Sequence, residues 1–168
     1  MQGQSAPVSQ MTGSTSSCQA ADETIIRIFV SYDLDHDADL LDRLVEQEAE
    51  ALLGFEISGL SASRSVVDHG DVDLRRAIQQ ADQVIVLCGE HTEMSDRVAN
   101  EVLIAQEEDR PYVLLWGRRD LMCTKPLTAA RGDSMYSWTN EILRSQLVMN
   151  RRDATDSDKR QLAERQSQ

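Results

Sequence analysis

Three short, largely apolar runs are the clearest pattern along the chain. They are Ile25–Ser31, Val84–Cys88 and Tyr112–Trp116, and each has the length and β-branched content of a buried strand. A weaker candidate strand is Phe55–Ile57, and segments with helical spacing lie between the runs. Because strands alternate with helices, the pattern predicts an α/β fold with a doubly wound parallel sheet in a single domain.

Four segments carry apolar residues three and four positions apart, the spacing that turns one helix face toward a core. They contain Leu41, Leu44, Val45, Ala49 and Leu52; then Leu74, Ala77, Ile78 and Ala81; then residues 96–108; and finally Trp138–Leu147. Gly54 is expected to end the first helix and Pro111 the third. Residues 58–70 are expected to form a loop, and residues 118–133 show no regular pattern.

Glu101 interrupts the apolar face of the third predicted helix. With Val98, Val102 and Ala105 it occupies positions i, i+3, i+4 and i+7, where a core-facing side chain should be apolar. We expect the Ser95 hydroxyl to cap this helix, which places Glu101 within its first two turns. Two interpretations remain open. Either the carboxylate faces a ligand crevice, or it forms a surface ion pair with Arg97, four positions earlier on the same helix.

The ends of the chain differ in composition from its centre. Residues 1–23 are rich in Gln, Ser, Gly and Thr and have no hydrophobic period, and residues 150–168 are charged and lack aromatic side chains. Such segments cannot bury enough apolar surface to offset the loss of chain entropy. We therefore predict a disordered tail at 1–23, a folded domain at 24–149 and a charged, solvated tail at 150–168.

Charge and cysteine content narrow the setting further. The net charge is −12, which argues against nucleic acid or an anionic membrane as a partner. No apolar run has the length of a membrane helix and no signal-peptide pattern is present, so a cytoplasmic location is expected. Cys18, Cys88 and Cys123 have no metal-ligand spacing and the histidines are isolated, so no metal site is predicted.

An acidic cluster follows the first predicted strand. Asp33, Asp35 and Asp37 allow three interpretations: a solvated loop in which Asp37 caps the next helix, a divalent-cation site, or the pocket of a phosphoreceiver-like domain. A receiver would also need a lysine directly after its last strand. No lysine follows Tyr112–Trp116 until Lys125, which argues against the third interpretation.

Two arginines follow the third predicted strand. Arg118 and Arg119 lie at the carboxyl end of a predicted parallel strand, the edge of the sheet at which doubly wound folds bind ligands. Arginine forks are well suited to phosphate oxygens. Each arginine is therefore either solvated or placed to meet the pyrophosphate of a dinucleotide, and Arg118 is our candidate for that contact.

These residues together resemble the Toll/interleukin-1 receptor (TIR) family. The segment Phe29–Tyr32, with spaced aspartates after it, is similar to the opening box of TIR domains. The likeness continues through Leu74–Ala81, Ala81–Leu87, Gly89–Thr92, Ser95, Glu101, Ala105 and Trp138–Asn140. It is closest to the branch that includes the standalone TIR proteins of Thoeris antiphage defence. The resemblance implies a flavodoxin-like fold.

For catalytic members, the resemblance also implies cleavage of NAD at the nicotinamide–ribose bond. Their catalytic glutamate lies six residues after a serine at the start of a helix, and Ser95 and Glu101 match that spacing. Ser31, Tyr32 and Asp37 would then edge the NAD crevice, and Ser95 is a further candidate contact. NAD would be the substrate, so no separate cofactor is implied.

In this branch, an ADP-ribose-type signal, cyclised or conjugated, is read by a separate effector, and catalytic members gain activity on assembly. The resemblance therefore implies NAD, further copies of the chain and an effector as partners. One position departs from the family pattern, because Arg97 stands where a tryptophan usually follows the serine by two residues. A non-catalytic TIR-like scaffold or adaptor that acts by self-association remains the alternative.

Overall fold

The computed structural model describes residues 3, 25–50, 54–61 and 70–150. Nearly all of the two predicted tails lies outside these residues, as do Leu52 and most of the predicted loop 58–70. None of the helices in the described part of the chain has the length and apolar character needed to cross a membrane.

Strands and helices alternate along the described residues. The elements are β1 (Ile26–Tyr32), α1 (Ala38–Ala49), β2 (Phe55–Leu60), α2 (Gly70–Gln80), β3 (Gln83–Cys88), α3 (Asp96–Glu107), β4 (Tyr112–Trp116), β5 (Met135–Ser137) and α4 (Asn140–Met149). The strand order is β2-β1-β3-β4-β5, and neighbouring strands pair in parallel. This is the flavodoxin-like order of a doubly wound sheet, so the predicted fold class is confirmed.

Two strands differ from the sequence prediction, and both lie at sheet edges. β2 continues to Leu60, so the predicted loop is wrong for residues 58–60. Its burial alternates, with one side partly exposed, so it lacks the continuous apolar run of a central strand. β5 was not predicted at all, because it has only three residues and two of them are exposed.

The core forms two apolar layers, one on each face of the sheet. One layer contains buried side chains of α1 and α4, including Leu44 and Leu143. The other contains buried side chains of α2 and α3, among them Ile78, Val98 and Val102. Fully burying an aliphatic side chain of this size stabilises the fold by about 1.5–3 kcal/mol. The apolar stripes predicted for α2, α3 and α4 therefore face the sheet. In α1 Leu44 is buried as expected, whereas Val45 and Ala49 are exposed, so the predicted stripe is wrong at these two positions.

Gly117 permits a close approach between the end of β4 and α1. A Cβ at this position would lie 2.4 Å from Leu40 Cδ1 and 2.8 Å from the carbonyl oxygen of Cys88. That carbonyl also accepts a hydrogen bond from the Gly117 N–H, at 2.9 Å. The backbone contact leaves little room for an added methyl group.

We expect Gly117→Ala to destabilise the protein by about 1–3 kcal/mol, the usual cost of overpacking a tight site. Gly132→Ala is the matched control, because a Cβ there meets nothing within 4 Å, and it should change stability by less than about 0.5 kcal/mol. Urea unfolding of both variants measures the difference. Equal midpoints for the two would contradict the close packing at Gly117.

Candidate active site

Glu101 lies in the second turn of α3 and is only 1% exposed. Two hydroxyl groups donate hydrogen bonds to its Oε2 atom, Ser31 Oγ at 2.5 Å and Ser61 Oγ at 2.5 Å. Ser31 is the penultimate residue of β1, and Ser61 directly follows β2. Two neighbouring parallel strands thus deliver hydroxyls from their carboxyl ends to one oxygen of a single carboxylate.

Burial dominates the electrostatics of this carboxylate. It raises the pKa of Glu101 to about 7, against the opposing effects of the Ser31 and Ser61 hydrogen bonds and of the Arg97 charge. A carboxylate that is 1% exposed does not fit the interpretation as a surface ion pair with Arg97. Glu101 is therefore a buried acid that changes its charge near neutral pH.

Tyr32 and Ser61 extend the surroundings of Glu101. The Tyr32 N–H donates to Ser61 Oγ at 3.2 Å, which holds the serine side chain between β1 and Glu101. Burial raises the pKa of the Tyr32 hydroxyl, and the Glu101 charge raises it further. Ser61 was not among the site residues predicted from the sequence. A serine directly after the strand that pairs with β1 would have identified it. That strand, β2, was predicted to end at residue 57, so Ser61 was assigned to a loop.

Ser95 occupies the N-cap position of α3, as predicted, but its side chain makes no capping hydrogen bond. The prediction of a hydroxyl cap is wrong. The preceding 3₁₀ helix, Thr92–Met94, holds the Ser95 backbone, whose N–H donates to the Thr92 carbonyl at 3.2 Å. Asp96 places a negative charge in the first helical turn. This charge interacts favourably with the helix dipole and stabilises the start of α3 without the Ser95 hydroxyl.

Asp37 and Arg118 form an ion-paired cluster at the N-terminus of α1. Asp37 is 1% exposed, and Arg118 Nη2 donates to its Oδ1 at 3.2 Å. Arg118 also donates to both oxygens of Asp39, at 2.7 and 2.8 Å. Asp37 makes no side-chain cap for α1, so its predicted role as a capping residue is wrong. Arg118 engages its carboxylate instead.

Gly89, the residue after β3, makes room for the buried Asp37 carboxylate. A Cβ on Gly89 would lie 2.1 Å from Asp37 Oδ1. Burial outweighs the Arg118 charge and raises the pKa of Asp37. The carboxylate therefore fills space between the β1–α1 connection and the end of β3, the point at which the strand order reverses and ligands bind in doubly wound folds.

The other aspartates of the acidic cluster do not converge on one point. Asp33 Oδ2 lies 2.8 Å from His36 Nδ1, and Asp33 Oδ1 accepts from the Asp35 N–H at 3.2 Å. The hydrogen bond to Asp33 raises the pKa of His36, whose ring centroid lies 4.5 Å from that of His91. Within the described residues, no group of three His, Cys, Asp or Glu side chains is arranged to hold a metal ion.

This chain is similar to solved structures of domains from other proteins. The chain is similar to the crystal structure of the TIR domain of the Toll-related receptor TRR-2 from Hydra magnipapillata, with TM-score 0.49, 12% identity, and coverage of 73% of this chain and 92% of that one. It is also similar to a prokaryotic SEFIR domain, with TM-score 0.40, 19% identity, and coverage of 72% and 86%. The search of curated proteins gave no match.

A family model also matches the chain. It is described as Thoeris protein ThsB, TIR-like domain, and it covers residues 29–119. This range runs from β1 to the residues just after β4, and it includes Ser31, Ser61 and Glu101. Because the match spans more than half of the 168 residues, the chain belongs to the family of TIR-like domains of Thoeris protein ThsB.

Proposed function

We propose that this chain cleaves NAD at the nicotinamide–ribose bond and that Glu101 is its catalytic carboxylate. The TIR-like family includes some NAD-cleaving members. The observation that supports the proposal most directly is the buried Glu101 carboxylate, held by two serine hydroxyls at the carboxyl edge of the sheet. A buried carboxylate with a strongly raised pKa, placed where doubly wound folds bind ligands, is a candidate functional group.

The reaction needs little from the protein beyond a placed negative charge. Departure of nicotinamide leaves an oxocarbenium-like ribose, which a nearby carboxylate stabilises by charge and by accepting hydrogen bonds from ribose hydroxyls. Nicotinamide leaves as a neutral molecule, so no general acid is required. The Glu101 carboxylate lies in a site of low polarity, where its electrostatic attraction to a positive charge is stronger than in water. Ser31 and Ser61 keep the carboxylate in one orientation.

The remaining candidate contacts to NAD differ in their support. Ser31 and Tyr32 adjoin Glu101, and Ser95 opens the same helix with a half-buried side chain. The Asp37 carboxylate accepts a hydrogen bond from Arg118 Nη2 at 3.2 Å, so its proposed part in binding NAD is to position Arg118. Arg118 would meet the pyrophosphate only by exchanging its bonds to Asp39 for bonds to phosphate oxygens.

Arg97 is compatible with this chemistry although the family pattern has tryptophan at its position. Its positive charge lowers the pKa of Glu101 and so favours the ionised carboxylate that the reaction needs. The product would be an ADP-ribose derivative, cyclised or conjugated, made in the cytoplasm and read by a separate effector. Activity would rise when copies of the chain assemble.

A non-catalytic scaffold that acts by self-association is the second candidate, and exposed apolar side chains are compatible with it. Met94, Met122 and Leu127 are each 77% exposed. Their segments are tied together, because the Glu93 N–H donates to Thr124 Oγ1 at 3.0 Å. Exposed apolar groups of this kind suit self-association, which both candidates share. Turnover separates the two.

The test is incubation of the protein with NAD, followed by mass analysis for free nicotinamide and its ribosyl co-product. Light scattering of the same samples reports the assembly state. We expect little release from a dilute monomer and clear release after assembly. Absence of nicotinamide in every assembly state would leave the scaffold as the function of the chain.

The pH dependence of turnover should report the Glu101 environment. Turnover should rise with pH through about 7, because burial raises the pKa of Glu101 to about 7 and the ionised form is the active one. Ser31→Ala removes a hydrogen bond that lowers this pKa. The midpoint should then move upward by about one to two pH units, since a hydrogen bond to a charged group is worth about 1.5–3 kcal/mol and one pKa unit corresponds to about 1.4 kcal/mol.

Ser58→Ala is the control for this experiment. The Ser58 hydroxyl donates to the Ile28 carbonyl at 3.1 Å and not to Glu101, so its removal should leave the midpoint in place. Equal midpoints in Ser31→Ala and Ser58→Ala would show that the measured ionisation is not that of Glu101.

A further inference from the structure

A cavity of about 260 Å³ lies at the carboxyl ends of β4 and β5. Its lining residues are Arg43, Trp116, Arg119, Ser137, Trp138 and Thr139. Arg43 belongs to α1, and Trp138 is buried in the apolar layer shared by α1 and α4. Glu101 belongs to α3, on the opposite face of the sheet. The cavity is therefore separate from the candidate active site.

The charges around this cavity are unusual for so acidic a chain. The protein has 29 Asp and Glu against 17 Lys and Arg, yet no carboxylate lines the cavity. Arg27, Arg75 and Arg118 each form an ion pair with a carboxylate. Arg43 and Arg119 form none with any described residue. Two arginines that lack an ion pair with a described carboxylate thus line one cavity.

Other contacts hold the lining in place and leave hydrogen-bond donors for a ligand. The Arg43 guanidinium carbon lies 4.3 Å from the centroid of the Trp138 ring, and Arg43 Nη2 donates to the Trp138 carbonyl at 3.2 Å. A guanidinium has further N–H groups beyond that one bond. Thr139 Oγ1 accepts from the Ile142 N–H at 3.2 Å, so its own proton remains available.

The two indole N–H groups are already used within the protein. Trp138 Nε1 donates to Gln47 Oε1 at 2.7 Å, and Trp116 Nε1 donates to the Arg118 carbonyl at 2.7 Å. The groups left for a ligand are thus guanidinium N–H and hydroxyl donors, together with two positive charges. Guanidinium forks match the geometry of phosphate oxygens.

We infer that this cavity binds the phosphate group of a small molecule. A volume of about 260 Å³ lies just under the range of about 300–1,000 Å³ for drug-sized ligands, which suits orthophosphate or a phosphate monoester. The phosphate is held by Arg43 and Arg119 and oriented by the hydroxyls of Ser137 and Thr139. This site does not depend on the cleavage of NAD.

The chain contains two tryptophans, and both line the cavity, so intrinsic fluorescence reports on this site directly. The full chain would be titrated with inorganic phosphate, with AMP and with adenosine at constant ionic strength. We expect saturable changes with phosphate and AMP and none with adenosine. Tighter binding of AMP would identify a nucleotide as the source of the phosphate, and equal binding would identify free phosphate. No change with either phosphate compound would overturn the inference.

Charge-neutral variants locate the binding. Arg119→Gln should weaken phosphate binding by about tenfold or more, since a hydrogen bond to a charged group is worth about 1.5–3 kcal/mol. Arg119 is exposed and makes no hydrogen bond with a described residue, so this variant should fold. Arg43→Gln should act in the same direction. Arg76→Gln is the control, because Arg76 is exposed on α2, in the other helical layer.

A loss of affinity in Arg76→Gln equal to that in Arg119→Gln would show general charge attraction and overturn the site. Glu101→Gln distinguishes this inference from the proposed function. It should bind phosphate like the wild type, because Glu101 lies on the opposite face of the sheet. A change in phosphate affinity in a folded Glu101→Gln protein as large as that in Arg119→Gln would place the ligand at Glu101 and overturn the separate site.

Discussion

Glu101→Gln should reduce NAD cleavage by at least about 10²–10³-fold while the protein stays folded. The amide keeps the size of the side chain and an oxygen that can accept hydrogen bonds from Ser31 and Ser61. It removes the negative charge that the oxocarbenium-like transition state needs. Losses of this size are typical when one electrostatic contact to a transition state is removed.

The measurement is nicotinamide release under conditions in which the wild type is active, with circular dichroism to verify folding. Glu107→Gln is the matched control, since it makes the same chemical change on α3 at a residue that is half exposed and paired with Arg75. It should leave turnover unaltered. Undiminished turnover in folded Glu101→Gln would end the catalytic assignment of this residue.

The same substitution should make the protein more stable at alkaline pH. The pKa of Glu101 is raised from 4.5 to about 7 in the folded state, so between these values the folded state binds more protons than the unfolded state. The wild type therefore loses stability as pH rises through this range. The loss approaches about 3 kcal/mol above pH 7, because one pKa unit corresponds to about 1.4 kcal/mol.

Glutamine has no charge to desolvate, so Glu101→Gln should avoid this loss. Its unfolding free energy should match that of the wild type near pH 4 and exceed it by up to about 3 kcal/mol near pH 8. Urea unfolding across this pH range tests the prediction. A variant that is less stable than the wild type at about pH 8 would show that the site favours the ionised carboxylate. A gain in stability with a loss of turnover is the usual signature of a functional site.

Local patterns in the chain were sufficient for most of the fold. The central strands are continuous apolar runs because both of their faces are covered by helices, and β1, β3 and β4 were predicted for that reason. The helix stripes follow from the 3.6-residue period. Glu101 was conspicuous because a charge stands where that stripe requires an apolar residue. These features depend on neighbours within a few residues, so the sequence alone shows them.

The partners of Glu101 depended on the tertiary structure. Ser31 and Ser61 are 70 and 40 residues away from it in the chain, and only the pairing of β1 with β2 brings both hydroxyls to one oxygen. The depth of burial that raises the pKa of Glu101 likewise follows from packing between layers. β2 was predicted to end too early because an edge strand that is exposed on one side lacks a continuous apolar run.

For Arg118 and Arg119 too, the sequence predicts the position along the chain, and only the folded protein shows the contacts. Both were predicted at the carboxyl end of β4, and the choice of Arg118 as the candidate contact to pyrophosphate rested on no local difference between them. In the folded protein Arg118 binds Asp37 and Asp39, which lie about 80 positions earlier, whereas Arg119 lines a cavity with Arg43. Adjacent residues meet different partners because each contact is set by how α1 crosses the sheet, which no local pattern encodes.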